Sequence, residues 1–143
     1  MSPNLSLKID SDLGSVELVA KAVRALCSDS LGEDALNDVE IGVVEAINNV
    51  IKHGYAGQKG SAVEVSVGLR QDRVVIDIVD QAPPMPPDAL GAPLYGHAGP
   101  SSTEDLPEGG MGLSLIQMTM DEVSYSSEQG SNRLRLTKLI GSE

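Results

Sequence analysis

The chain has 143 residues, a formal net charge of −11 and one cysteine. This length fits one domain of ordinary size. The negative charge argues against a nucleic-acid backbone or an anionic membrane surface as a partner, because both favour a basic face. The single cysteine, Cys27, excludes an internal disulfide framework. Because the sequence contains no Phe and no Trp, we expect a core of branched aliphatic side chains and Met.

The sequence carries no membrane or export signal. No apolar run approaches the roughly twenty residues that a membrane-spanning helix needs. The N-terminus also lacks a basic segment followed by an apolar one, which is the pattern of a secretory signal. Both observations predict a cytoplasmic protein.

The first half of the chain reads as one strand and two helices. Residues 5–9 alternate apolar and polar side chains, which predicts a strand. Apolar residues at helical spacing then predict a helix over residues 16–26, with the Ser-Asp pair at 11–12 as its cap. A longer helix is predicted from Asp34 to His53. It ends where Gly54 fits the first position after the helix.

The second half contributes paired strands and one more helix. Residues 63–69 and 74–79 are separated by four polar residues, which predicts a hairpin. A short apolar helix is expected over 112–120, and a closing hairpin joins 121–126 to 132–139. Because the strands come in sequence-adjacent pairs with helices outside them, we predict an α+β fold. It is a two-layer α/β sandwich whose mixed, mostly antiparallel sheet carries helices on one face.

Residues 81–110 differ in texture from the rest of the chain. They hold seven of the eight prolines and five glycines, and no Lys or Arg. A stretch of this length without regular structure is uncommon inside a domain and is typical of a functional lid or of disorder. We therefore predict one domain over residues 1–143 with a lid at about 81–108.

A polar stripe on the long helix is the first candidate site. Glu45, Asn49 and His53 recur at four-residue steps and therefore share one helical face. A carboxylate and an amide oxygen one turn apart suit magnesium that is held mainly by substrate phosphates. A solvated helix face explains the same pattern, and the helix macrodipole alone would favour His53 near a C-terminus. His53 is also kept as a candidate cofactor-binding residue.

The end of the 74–79 strand is the second candidate site. Asp80 follows the strand, and its carboxylate either forms a turn or accepts a hydrogen bond from an exocyclic amine such as that of adenine. In the second interpretation Ala82 and the adjoining prolines bring the backbone close to the ring, and Met85 packs on the ring face.

The third candidate is Gly109-Gly-Met-Gly-Leu113, which we interpret as a glycine-rich turn before a helix. Such a run either allows a tight entry to the helix or presents backbone N–H groups to phosphate oxygens. Its spacing matches neither the P-loop nor the dinucleotide-binding pattern.

Together the three candidates resemble a known family. A helix with Glu-x-x-x-Asn-x-x-x-His-Gly-Tyr, a strand ending in Asp-x-Ala, a lid and Gly-Gly-x-Gly-Leu resemble the GHKL ATPase superfamily of gyrase, Hsp90, histidine kinases and MutL. The short chain and the Ile-Lys-His-Gly-Tyr ending are most similar to its anti-sigma factor serine/threonine kinases, regulators in bacterial partner-switching systems. The resemblance covers roughly residues 5–140.

The resemblance implies the Bergerat ATP-binding fold, with ATP and Mg²⁺ as cofactors. Glu45 would be the general base, Asn49 the magnesium ligand and Asp80 the adenine-reading carboxylate. The glycine motif that closes on the phosphates would comprise Gly110, Met111, Gly112 and Leu113. The implied activity is phosphorylation of a Ser or Thr on a small anti-sigma factor antagonist with a STAS domain. The implied partners are that antagonist, a sigma factor or other output protein, and a second copy of the chain.

Two departures from the family pattern keep other functions open. Ala82 stands where the family has Gly, which would place a Cβ beside the nucleotide and disfavour a positive φ. The lid has no cation to neutralise a transferring phosphoryl group, so Lys52, Lys59 or a partner would have to supply one. One alternative is a non-catalytic adaptor with a structural or vestigial nucleotide site. Another is the ATPase module of a histidine kinase, which would require a phosphoacceptor domain that these 143 residues do not show.

Overall fold

The computed structural model describes residues 4–85 and 108–141, and for residues 108–112 the backbone alone. The strands are β1 (Asn4–Asp10), β2 (Ala62–Leu69), β3 (Arg73–Asp80), β4 (Glu122–Glu128) and β5 (Ser131–Leu139). The helices are α1 (Val16–Cys27), α2 (Glu33–Asn49) and α3 (Glu108–Thr119). A short 3₁₀ turn, Leu13–Ser15, leads into α1, and a π turn, Val50–Gly54, extends α2.

The five strands form one sheet in the order β1-β2-β3-β5-β4. All four pairings among these strands are antiparallel. The three helices lie side by side, with α2 between α1 and α3, and they pack on one face of the sheet. The predicted α+β fold with helices on one face of the sheet is therefore confirmed.

The core lies between the sheet and the helices and is aliphatic, as the composition predicts. Alternate residues of β3 face the helices, and Ile76 and Ile78 have no exposed surface. The strand partners of Ile78 are Val65 on β2 and Leu134 on β5. The helices contribute Val23, Val39, Val43, Ile47 and Ile116, all fully buried. Burial raises the pKa of the Cys27 thiol to about 11, which fits a buried apolar role for this residue.

The end of the long helix differs from the prediction. α2 stops at Asn49 and continues as the π turn, in which the Tyr55 N–H donates to the Val50 carbonyl at 2.8 Å. Gly54 therefore lies inside the last turn, and its predicted place after the helix was wrong. The chain reverses at Ala56 and Gly57, whose φ angles are +55° and +78°. Helical periodicity in the sequence could not predict the widened turn, because the method assumes the same number of residues per turn along the whole helix.

The turn of the closing hairpin was predicted correctly, whereas the start of the last helix was not. The β4–β5 hairpin turns at Gln129 and Gly130, with φ of +53° and +80°, as the Gln-Gly pair predicts. Two positive φ angles at the turn match the right-handed twist of the flanking strands. By contrast, α3 begins at Glu108 rather than Gly112, so the glycine run lies in the first turn of the helix and not in a turn before it.

The sheet face away from the helices carries one buried charge. Asp77 is 6% exposed and accepts hydrogen bonds from Arg133 at 2.7 Å and from Arg135 at 2.8 and 2.9 Å. Burial raises the pKa of the Asp77 carboxyl, but the hydrogen bonds and charges of the two arginines outweigh it and leave the pKa below its usual value. This cluster ties β3 to β5 on the side opposite the core.

The predictions of a lid and of no membrane-spanning helix can be compared only with the described residues. Most of the predicted lid, residues 86–107, lies outside the described residues. Within the described ranges, no helix has the length and apolar character needed to cross a bilayer.

Candidate functional site

A cavity of about 210 Å³ opens where the end of α2 meets the end of β3. It is smaller than the roughly 300–1,000 Å³ of a typical small-molecule pocket, which suits one flat ring better than a whole nucleotide. Its walls come from the end of α2 and the π turn, from the segment after β3, and from β4 and β5. They are formed by Asn49, Val50, His53, Gly54, Asp80, Pro83, Pro84, Met85, Tyr125, Asn132 and Leu134.

Asp80 is the buried acid of this cavity, with 6% of its surface exposed. Its Oδ1 accepts hydrogen bonds from the Ala82 backbone N–H at 2.9 Å and from Asn132 Nδ2 at 2.8 Å. Within residues 4–85 and 113–141, no hydrogen bond reaches Oδ2. Burial raises the pKa of the Asp80 carboxyl, and the hydrogen bonds from Asn132 and Ala82 only partly oppose that rise.

Ala82 does not intrude on the cavity. It is 5% exposed and is absent from the cavity lining. Its methyl group points at Gly54, where a built Cβ would approach Ala82 Cβ to 3.0 Å. Its φ is not positive, since the only described non-glycine residues with positive φ are Ala56 and Gln129. Position 82 therefore adopts a backbone conformation that alanine accepts, and the absence of a side chain at Gly54 leaves room for its methyl group. The effect of this methyl group on a bound nucleotide stays a prediction.

Two tyrosine hydroxyl groups hold the segment that leaves β3. Tyr55 Oη accepts from the Gln81 N–H at 2.9 Å and donates to the Ala62 carbonyl at 2.8 Å. Tyr125 Oη accepts from the Met85 N–H at 2.9 Å. Burial, together with the charge of Asp80, raises the pKa of the Tyr125 phenol. The start of the predicted lid is thus anchored at both ends, at residues 81 and 85.

Asn49 and Met85 line the same cavity as Asp80. Asn49 Nδ2 contacts Met85 Sδ at 3.8 Å. The side-chain oxygen of Asn49, Oδ1, accepts no hydrogen bond from any described residue. That oxygen is a suitable ligand for a hard cation. No group of three or more His, Cys, Asp or Glu side chains gathers anywhere in the described ranges. A magnesium ion here would therefore need most of its ligands from a bound polyphosphate and water.

Glu45 lies one helical turn before Asn49 but outside the cavity. It lines an open groove on the outer face of α2, together with Asn37, Glu40, Ile41 and Val44. His53 lines the cavity and is exposed to solvent. The predicted stripe is therefore divided: Asn49 and His53 border the cavity with Asp80, and Glu45 borders a neighbouring groove.

The predicted glycine motif is only partly visible. Gly110, Met111 and Gly112 belong to the first turn of α3, and their side-chain environment lies outside the described part. Leu113 is 6% exposed and packs into the hydrophobic core. Whether this motif reaches a phosphate stays a prediction.

Sequence reasoning missed five residues of the cavity: Val50, Gly54, Tyr125, Asn132 and Leu134. A signal for Asn132 existed, because the β3–β5 register places it directly opposite Asp80. That register follows only from fixing the closing hairpin and the order of the strands, which periodicity alone does not provide. Tyr125 lies on β4 at the edge of the sheet, and no local pattern connects it with residue 85.

With the geometry in place, the comparisons with known proteins identify the family. The Histidine kinase-like ATPase domain family matches residues 9–138. The chain therefore belongs to this family, and the resemblance to GHKL proteins is confirmed. The crystal structure of the RsbU and RsbW domains of Rv1364c from Mycobacterium tuberculosis has the same fold, with a TM-score of 0.66 at 16% identity. The match covers 96% of this chain and 32% of that one.

Curated relatives narrow the resemblance. The serine-protein kinase RsbW of Halalkalibacterium halodurans is 36% identical over 75% of this chain and 64% of its own. The RsbW of Bacillus subtilis is 29% identical over 77% and 68%. The anti-sigma F factor of Clostridium beijerinckii is 32% identical over 68% and 66%. The aligned part thus spans about two thirds of each relative's length.

Proposed function

We propose that this chain is an ATP-dependent protein-serine/threonine kinase that regulates by partner switching. It phosphorylates a small antagonist protein with a STAS domain and sequesters a sigma factor or another output protein. One observation carries the proposal: one carboxylate oxygen of Asp80 has no hydrogen-bond partner among the described residues, in a ring-sized cavity that Asn49 also borders. The names of the relatives, serine-protein kinase and anti-sigma factor, support the same reading.

In this proposal each polar residue has one role. Asp80 Oδ2 accepts a hydrogen bond from the exocyclic amine of adenine. Asn49 contributes its amide oxygen to Mg²⁺, which would neutralise phosphate charge when bound. Glu45 orients the substrate hydroxyl group or takes its proton, and the hydroxyl oxygen then attacks the γ-phosphorus of ATP and displaces ADP. The first-turn amides of α3 stabilise the phosphates.

Nucleotide binding is the first test. Isothermal titration of the wild-type chain with Mg-ADP should show binding, and Asp80→Asn should weaken it about 10- to 100-fold. That factor corresponds to losing a hydrogen bond to a charged acceptor, roughly 1.5–3 kcal/mol. The matched control is Asp72→Asn, which changes an exposed carboxylate at the opposite end of β3. Equal affinities of Asp80→Asn and the wild type would reject the assignment of Asp80.

Phosphoryl transfer is the second test. The chain is mixed with Mg-ATP and a candidate STAS-domain antagonist, and transfer is followed by mass spectrometry of the antagonist. Glu45→Gln keeps the size of the side chain and removes the base, so transfer should slow about 100-fold or more while Mg-ADP affinity is kept. Glu17→Gln, on the exposed face of α1, is the control. Unchanged transfer by Glu45→Gln would exclude this residue as the base.

The position of Glu45 also favours a second candidate function. Because Glu45 borders a groove separate from the ring-sized cavity, the chain could instead be a non-catalytic adaptor with a structural nucleotide site. An adaptor would bind its partner equally well with and without nucleotide and would transfer no phosphate. The kinase would transfer phosphate to the antagonist and bind it in a nucleotide-dependent way.

The setting of the activity is part of the proposal. We place the protein in the cytoplasm as a homodimer, following the resemblance to anti-sigma factor kinases. Sedimentation equilibrium measures the mass in solution. A particle of about 15 kDa at micromolar concentration would reject the dimer, since one chain has a mass of 14.9 kDa.

A further inference from the structure

Asn132 is the one described residue whose side chain donates a hydrogen bond to the acid of the cavity. It lies on β5 opposite Asp80, with 2% of its surface exposed. Its Nδ2 donates to Asp80 Oδ1 at 2.8 Å and to the Ala82 carbonyl at 2.7 Å. Its Oδ1 accepts from the Ser127 hydroxyl at 2.7 Å. Both amide protons and one oxygen lone pair are therefore used inside the protein.

These contacts fix which way round the amide lies. The Ala82 carbonyl oxygen can only accept a hydrogen bond, and the same holds for Asp80 Oδ1 when the carboxylate is ionised. The end of the Asn132 amide that faces these two acceptors must therefore be the NH₂ group. The Ser127 hydroxyl then donates to the remaining oxygen. A flipped amide would place oxygen against two acceptors, which is unfavourable in a buried site.

The fixed amide also fixes the carboxylate. Asp80 Oδ1 receives two hydrogen bonds, one from Asn132 and one from the Ala82 backbone, and the carboxylate cannot rotate without breaking both. Its remaining oxygen, Oδ2, is therefore held at one place in the cavity. A buried acceptor held in this way favours a donor and rejects another acceptor at the same point, because an unpaired or repelled buried group is costly.

We propose that Asn132 is a positioning residue that sets base selectivity: it holds the Asp80 carboxylate so that its free oxygen accepts from the 6-amino group of adenine and repels the 6-oxo group of hypoxanthine. The inference rests on the proposed nucleotide-binding function and adds a residue to it. A carboxylate that could turn would reach the N1–H donor of hypoxanthine instead, so selectivity depends on the restraint as well as on the charge.

A purely structural role for Asn132 makes a different prediction. If the amide only supports the turn at residues 80–82, its removal should weaken binding of every nucleotide by the same factor. If it positions Asp80, its removal should weaken Mg-ADP more than Mg-IDP. The ratio of the two dissociation constants therefore separates the two roles.

The experiment measures that ratio by isothermal titration with Mg-ADP and Mg-IDP. We expect the wild type to favour Mg-ADP at least about tenfold, and Asn132→Ala to reduce the ratio at least about threefold. Ser131→Ala, the neighbouring truncation on the opposite face of β5, should keep the wild-type ratio. An unchanged ratio in a folded Asn132→Ala variant overturns the inference. Absence of Mg-ADP binding by the wild type would instead reject the proposed function.

Asn132→Asp tests the same idea if the alanine variant does not fold. A protonated carboxyl group introduced at this position can still donate to Asp80, but two ionised carboxylates would repel. We expect the preference of this variant for Mg-ADP over Mg-IDP to fall, relative to the wild type, as the pH rises from about 6 to 8. His53 and Tyr125 also line the cavity, but they are common to both proteins and cancel in the comparison. Parallel pH profiles for the two proteins would overturn the inference.

Discussion

The contact between Gly54 and Ala82 offers a sharp test of how the cavity is built. A Cβ placed on Gly54 would lie 3.0 Å from Ala82 Cβ, well inside the roughly 3.5–4.0 Å at which two carbon atoms attract best. Gly54 has no positive φ, since the described glycines with positive φ are 57, 60 and 130. The backbone would therefore accept alanine, and the steric contact is the only obstacle to it among the described residues.

Two opposing effects give the expected magnitude. Overpacking a tight site costs about 1–3 kcal/mol, while replacing glycine by alanine in a helical turn contributes roughly 0.5–1 kcal/mol. Gly54→Ala should therefore destabilise the wild type, by up to about 2.5 kcal/mol. In an Ala82→Gly background the methyl group that causes the overlap is gone. There Gly54→Ala should stabilise the fold by about 0.5–1 kcal/mol.

Urea unfolding of the four proteins of this double-mutant cycle measures the coupling directly. We expect a coupling free energy of about 1–3 kcal/mol and a reversal in the sign of the Gly54→Ala effect between the two backgrounds. Isothermal titration should also show weaker Mg-ADP binding by Gly54→Ala, because the displaced residue 82 donates its N–H to Asp80. Additive effects on stability, with the same sign in both backgrounds, would refute the packing argument.

Three further predictions concern charge, anchoring and packing. The folded-state pKa of Asp77 is lowered, so its stabilising effect is present above the unfolded pKa and is lost as the pH falls through the folded pKa. Relative to Asp77→Asn, the wild type should thus lose stability on acidification from about pH 5, measured by urea unfolding across pH; parallel curves would contradict this. Tyr125→Phe removes the acceptor of the Met85 N–H and should speed hydrogen exchange at that amide, as detected by NMR. Ile76→Ala, at a fully buried position, should cost about 2–5 kcal/mol in the free energy of unfolding, and a cost below about 1 kcal/mol would contradict the packing described for the core.

The sequence predicted the architecture because each strand and helix carries its own period. Alternation in residues 63–69 and 74–79 follows from a sheet with one buried face, and the Gln129-Gly130 pair specifies a turn with two positive φ angles. These are local signals, and they led directly to the α+β sandwich. The predicted helix boundaries were wrong at two places. A π turn, which has a different residue spacing, continues α2, and the glycine run does not mark the start of α3, which begins at Glu108.

The candidate site was less accessible to sequence reasoning, because its contacts join distant segments. Asp80 could be singled out since it ends an apolar strand, but its partner Asn132 is 52 residues away. The surroundings of Ala82 show a related limit of sequence reasoning. The sequence reports an added methyl group at position 82, whereas only the fold reveals that Gly54 vacates the space for it.

The α-helix α2 gives way to a π turn after Asn49. We propose that this change separates base binding from phosphoryl transfer. Glu45 and Asn49 lie in regular α-helix, so they are one turn apart, about 6 Å along the axis. His53 and Gly54 follow in the π turn, whose wider geometry places both of them at the ring-sized cavity. In the proposed binding mode, the base lies beside Asp80 and the phosphates run along the regular part of the helix toward Glu45. Substitutions in the π turn should then alter base affinity, while substitutions at Glu45 should alter transfer. The two sets of variants would differ in kinetics although a single continuous helical segment carries both.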